Sequence, residues 1–134
     1  MTRMKAVGEI WAVVPVKDTA AAKQRLAAAV PAHLRQALRQ CPAPVAAVSP
    51  IIAGQAVKGP TAKMMAELGL PVDAATPARH YRDFLDLYIA DQQDAAAVAG
   101  LDLPVVLTRT LMQTLADRDA LARTTLAAAD RIRK

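Results

Sequence analysis

Aromatic side chains are nearly missing from this 134-residue chain: one tryptophan, two tyrosines and one phenylalanine make up 3% of it. The core must therefore be built from alanine, leucine, valine and isoleucine, which bury less area per residue and give modest stability. No basic run is interleaved with aromatics, so the stacking platform of a single-strand nucleic-acid binder is absent. Cys41 is the single cysteine, which excludes an internal disulfide, and no Cys/His cluster has zinc-ligand spacing. No run approaches the ~18 apolar residues of a membrane span. The amino-terminal residues carry neither a sustained apolar core nor a small-residue cleavage site. The expectation is a cytoplasmic protein with no membrane and no nucleic acid among its partners.

What is present is apolar and basic. Hydrophobic residues reach 54% and the mean hydropathy is +0.18, which indicates a folded chain rather than a disordered one. The length suits a single α/β domain over residues 1–134. The net charge of +5, with nucleic acid disfavoured, points to phosphate-bearing small molecules.

Short β-branched runs alternate with helical patterns. Strands are expected at residues 10–16, 45–48, 87–90 and 105–108. Helices are expected from Asp18 or Thr19 to about Ala29, from Pro31 to the prolines at 42 and 44, and from Pro60 to Leu68. Gly69 and Leu70 would stop that last helix. Further helices are expected at 79–85 and 94–99, and a final one follows the caps Thr114 and Asp117, with Leu121, Thr125, Ala128 and Ile132 on one stripe. The pattern predicts a three-layer, Rossmann-like α/β fragment: a short, mostly parallel sheet of about four strands flanked by helices. Proline and arginine density shifts between residues 32 and 43, which makes that region the best seam. A sheet this short leaves apolar edges, and a homo-oligomer is expected to cover them.

In such a sheet, ligands bind beyond the carboxyl ends of the strands. After the first strand come Lys17, Lys23 and Arg25, three cations suited to nucleotide phosphates; the competing reading is a solvated helix face. After the second strand, Ser49 offers a hydroxyl and Lys58 a mobile charge. Gly54 and Gly59 permit close backbone approach, and Pro60 at the first helical position leaves neighbouring amides free. Together these suit a phosphate, although the spacing matches neither the P-loop nor the dinucleotide fingerprint, and turn formation alone also calls for glycine. Arg79 and His80 are candidates for binding an anion or passing a proton, while Arg82 and Asp83 are expected to face solvent. Asp91 and Asp94 follow a strand end and have the chemistry for magnesium, but helix caps and solvated carboxylates are the commoner use. Arg109 closes the last strand as one more anion contact. No serine–histidine–acid set stands out, and no carboxylate pair reads as acid and base. Catalysis by such a chain would rest on positioning and charge stabilisation.

From about Leu34 onward, "AVSPIIAGQAVKGPTAKMMAELGL", "ARHYRDFLDLYIAD" and "TLMQTLADRDALARTTL" resemble the carboxyl-terminal part of the 2-phospho-L-lactate transferases, the CofD family of deazaflavin coenzyme biosynthesis. Ala53 stands where that family usually has glycine, and Pro77 where valine is usual. The earlier stretch "IWAVVPVKDTAAAKQRLAAAVPAHLRQAL" is similar instead to the start of the 2-phospho-L-lactate guanylyltransferases, the CofC family. A join would then fall within residues 30–42, in agreement with the seam from composition. The first resemblance implies transfer of a phospholactyl-type group from a guanosine diphosphate conjugate to the hydroxyl of the deazaflavin Fo, releasing GMP, with magnesium. It places Ser49, Lys58 and Gly59 beside the transferred group or diphosphate. The second implies formation of that conjugate from GTP, with Lys17, Lys23 and Arg25 facing the nucleotide phosphates. The transferases' glycine-rich "GGTGG"-like loop and acidic magnesium positions have no counterpart here, nor do the later guanylyltransferase residues. The alternatives to a transferase are thus a guanylyltransferase or a non-catalytic, nucleotide-binding hybrid or remnant.

Overall fold

Leu87, Tyr88, Ile89, Ala90 and Asp91 form one strand in which every residue is buried. A strand that is apolar on both faces belongs at the centre of a parallel sheet covered on both sides. The computed structural model of the chain describes residues 32–57 and 61–132, residue 30, and the backbone of two short strands, β1 (Ala6–Val7) and β2 (Ile10–Trp11), paired antiparallel. The elements that follow are α1 (Ala32–Arg39), β3 (Ala46–Val48), β4 (Ile51–Ile52), β5 (Gln55–Ala56), α2 (Thr61–Glu67), α3 (Ala75–His80), β6 (Leu87–Asp91), α4 (Ala95–Val98), β7 (Val105–Thr108) and α5 (Leu115–Arg131). A 3₁₀ turn over Gln92–Asp94 joins β6 to α4.

The sheet proper has the order β3-β6-β7 and is parallel throughout, with Ala47 opposite Tyr88 and Tyr88 opposite Val105. Alternation along β6 sends its side chains to two separate cores. Tyr88 and Ala90 meet Met65, Ala78 and Val98 from the α2, α3 and α4 side. Leu87 and Ile89 meet Leu121 and Ala128 of α5 on the opposite face. The expected three-layer α/β class is therefore what the chain adopts, with three strands in the parallel sheet. The strand expected at residues 10–16 is seen only as β2, outside that sheet, and residues 12–16 lie outside the described residues.

Local chemistry explains the ends of most elements. Gly69 adopts φ 67°, and the Gly69 and Leu70 amides donate to Ala66 and Met65 carbonyls, closing α2 in a left-handed C-terminal motif. Thr114 and Asp117 cap α5 reciprocally: the Thr114 hydroxyl accepts from the Asp117 amide, and the Asp117 carboxylate accepts from the Thr114 amide. The helix expected at 79–85 is displaced. It runs over α3 instead, because Asp73 accepts from the Thr76 amide and hydroxyl, and Pro77 falls within the first turn, where a missing N–H costs nothing. Past His80 the chain turns back through residues 81–84 into β6. Among the described residues no helix is long and apolar enough to cross a membrane.

Candidate carboxyl-edge site

Three strand ends meet at the carboxyl edge of the sheet, and each is tied down by a polar side chain. At the end of β3, Ser49 is buried. Its hydroxyl accepts from the Ile51 amide at 3.2 Å and donates to the Ile51 carbonyl at 3.3 Å. The hydroxyl is thus engaged in turning the chain from β3 into a hairpin that the sequence pattern does not announce. In that hairpin β4 pairs antiparallel with β5, Ile51 opposite Ala56 and Ile52 opposite Gln55. Its two turn residues, Ala53 and Gly54, have φ 50° and 72°. Two successive left-handed residues are what a two-residue hairpin turn matching the strand twist needs. Gly54 therefore serves the turn, the use of glycine that turn formation alone calls for.

At the end of β6, Asp91 is 1% exposed and accepts from three donors. These are the Gln93 amide at 3.0 Å, the Thr110 amide at 2.9 Å and the Thr110 hydroxyl at 3.1 Å. Burial alone would raise the Asp91 carboxyl; the hydrogen bonds from Thr110 and Gln93 outweigh it and hold the group below the ordinary carboxylate range. Asp94 is also buried, and its two oxygens accept from the Ala53 and Gly54 amides at 2.9 and 2.8 Å. Both carboxylates are occupied by backbone N–H groups. No group of three His, Cys, Asp or Glu side chains among the described residues is placed to hold a metal ion. The described residues therefore do not fit the magnesium site that the family resemblance implies.

Below the hairpin lies Tyr88, whose hydroxyl donates to the Ala74 carbonyl at 2.8 Å. Burial pushes its phenol up to about 12; the Ser49 hydroxyl opposes that shift, and the Asp73 and Asp94 carboxylates add to it. Arg109 leaves β7 at the same edge, exposed, with one guanidinium nitrogen 3.4 Å from Gln113 Oε1.

Arg79 and His80 end α3 and lead through the 81–84 turn to the start of β6, which places them at the amino end of the sheet. Ser49 lies at the carboxyl end, so the structure does not bring these candidates together in one site. Around them, Arg35 and Arg39 of α1 pair with Asp83, and Arg82 pairs with Asp102. The guanidinium of Arg35 also lies over the Tyr81 and Phe84 rings, 5.9 and 5.5 Å from their centroids. Arg82 and Asp83 are exposed, as expected, and from the surface their ion pairs link the turn before β6 to α1 and to the loop before β7. Lys58 and Gly59, and the alternative trio Lys17, Lys23 and Arg25, lie outside the described residues.

No protein-family model matches the chain. Among curated proteins, it is 36% identical over 104 residues to the phosphoenolpyruvate transferase of Kitasatospora aureofaciens, which covers 75% of this chain and 32% of that protein. It is 34% identical over 79 residues to the 2-phospho-L-lactate transferase of Methanocaldococcus jannaschii, covering 59% of this chain and 25% of the relative. It is 46% identical over 52 residues to the enzyme of the same name from Methanosarcina barkeri, covering 39% and 17%. The aligned stretches thus span about a third or less of the length of these relatives.

Proposed function

We propose that the chain serves a transferase of deazaflavin coenzyme biosynthesis, handling the phosphate-bearing end of a guanosine diphosphate conjugate. The observation that carries this reading is the 36% identity to a phosphoenolpyruvate transferase over 75% of the chain. A stretch that long includes the middle of the chain, and so the turn after β3, the hairpin and the end of β6. The relatives named 2-phospho-L-lactate transferase support the same class.

In the reaction, the Fo hydroxyl oxygen forms a bond to the phosphorus of the phospholactyl or phosphoenolpyruvyl group. The bond from that phosphorus to the bridging oxygen breaks, GMP leaves with the electron pair, and the hydroxyl proton is released. The part assigned to this chain is positioning and charge stabilisation. Ser49 shapes the strand end, and Lys58 would supply a cation for the diphosphate. Arg109 would add a cation from the carboxyl end of β7. Arg79 and His80 are left out of this site. The protein would work as a homo-oligomer in the cytoplasm.

The test is an incubation of the chain with Fo, magnesium and the guanylated phospholactate or phosphoenolpyruvate donor, followed by chromatography of the deazaflavins. Expected are a phosphorylated deazaflavin and equimolar GMP. No product above a protein-free control, at high protein concentration, refutes the catalytic reading. Release of pyrophosphate from GTP and phospholactate would instead favour the guanylyltransferase alternative.

A further inference from the structure

The hairpin after β3 is held at two points of different character. At its base, Ile51 is fully buried in the core. At its tip, Ala53, Gly54 and Gln55 are exposed, and two strands of two residues each are far too short to hold a tip in place by themselves. The tip is fixed by Asp94, forty residues further along the chain, which receives the amides of both turn residues, one on each carboxylate oxygen. At this turn the Ala53 and Gly54 N–H groups both point to one carboxylate, and successive turn N–H groups can receive an anion. Here the anion is internal. It comes from the 3₁₀ turn at the end of the central strand, so the hairpin is locked to β6.

We propose that Asp94 is a positioning residue of the carboxyl-edge site: its carboxylate sets the hairpin against the end of β6, and with it the chain that leaves Ser49. This rests on the reading of that edge as a diphosphate contact. Asp94 itself touches no ligand in this scheme. It acts through the backbone of Ala53 and Gly54, and it is buried and occupied, unlike Arg109 on the neighbouring strand end.

The test compares the wild-type chain with Asp94→Ala, which removes both acceptors, and Asp94→Asn, which keeps one. Val106→Ala serves as a control on the α5 face of the sheet, where Val106 packs beside Leu87 and Ile89. Two quantities are read at a temperature where every variant is folded: calorimetric affinity for guanosine diphosphate and for inorganic pyrophosphate, and hydrogen exchange at the Ala53 and Gly54 amides. Asp94→Ala should accelerate both amides and weaken the two ligands by about tenfold or more, with Asp94→Asn between it and wild type. Val106→Ala should lower stability and leave affinity within about twofold. The proposal is overturned if both Asp94 variants bind as wild type does, if the two amides exchange at the wild-type rate, or if Val106→Ala weakens binding equally. Absence of binding by the wild-type chain overturns the diphosphate site itself, and the positioning role falls with it. Faster exchange in Asp94→Ala would then still identify the lock as purely structural.

Discussion

Replacing Asp91 with asparagine keeps the shape of the side chain and removes its charge, so it isolates what the carboxylate does. If the amide oxygen takes the Thr110 amide and hydroxyl, the new NH₂ group is left facing the Gln93 N–H, donor against donor. Two charge-assisted hydrogen bonds become neutral ones, at about 1 kcal/mol each, and one donor goes unsatisfied at about 1–2 kcal/mol. Asp91 is 1% exposed and the Gln93 amide is part-buried, so water offsets the loss only in part. The expected cost is about 3 kcal/mol, a large share of the ~5–15 kcal/mol that holds a domain together. At about 3–5 °C per kcal/mol for a chain of this size, the melting temperature at pH 7 should fall by about 10–15 °C. The pH dependence supplies an independent check. Because the folded-state value of Asp91 is depressed, its contribution is fully present above the unfolded value of about 3.9 and is lost as pH falls through the lower folded value. The asparagine variant has no such titration. Urea unfolding followed by circular dichroism should therefore show a constant gap between the two proteins from about pH 7 to 5, closing below about pH 4. A gap under about 0.5 kcal/mol at neutral pH, or one that persists unchanged in acid, refutes the reasoning.

Two further predictions concern the same end of the sheet. Ala53→Gly should stabilise the chain by about 0.5 kcal/mol: relief of a left-handed alanine gains about 1–2 kcal/mol, and greater freedom of the unfolded chain returns part of it. Urea unfolding showing a net loss would mean that the Ala53 methyl makes a contact worth more than its strain. Tyr88, with its phenol raised by burial to about 12, should stay un-ionised in a spectrophotometric titration at pH 10–11. Since its folded value lies above the unfolded one, its contribution is complete below about pH 10 and disappears as pH rises toward the folded value. Loss of the slow, high-pH phase of phenolate absorbance in Tyr88→Phe confirms the assignment, and its persistence contradicts it.

What the sequence disclosed and what it withheld divide along sequence distance. The α5 cap was legible because Thr114 and Asp117 are three residues apart and act on each other's backbone. The end of α2 was legible because a glycine followed by leucine after a helical run has few other uses. Strand β7 emerged with the expected limits, since a run of three β-branched residues and a leucine between Pro104 and Arg109 leaves little choice. The hairpin was hidden because its turn holds alanine rather than asparagine or aspartate before the glycine, and no composition signal marks a left-handed alanine. The displacement of α3 was hidden because its start is set by Asp73 accepting from Thr76, and Pro77 sits inside its first turn. That shift carried Arg79 and His80 to the opposite end of the sheet from Ser49. The roles of Asp91 and Asp94 were visible only as chemistry. Their partners lie 19 and 40 residues away in sequence, a relation that no local pattern encodes.

The parallel register has a consequence for the order in which the chain gains structure. On one side of β6, the bond from Thr110 to Asp91 closes a loop of 19 residues. On the other, the bond from the Val45 amide to Asp86 closes one of 41. Loop-closure entropy favours the shorter by about 0.7 kcal/mol before any packing is counted. The β6–α4–β7 unit should therefore act as the nucleus, with β3 and its hairpin adding last. Kinetically, Val106→Ala would slow folding, whereas truncating Ile51 would mainly hasten unfolding; the reverse partition would rule this order out. The hairpin that Asp94 holds at the carboxyl edge is then also the part of this sheet that detaches first.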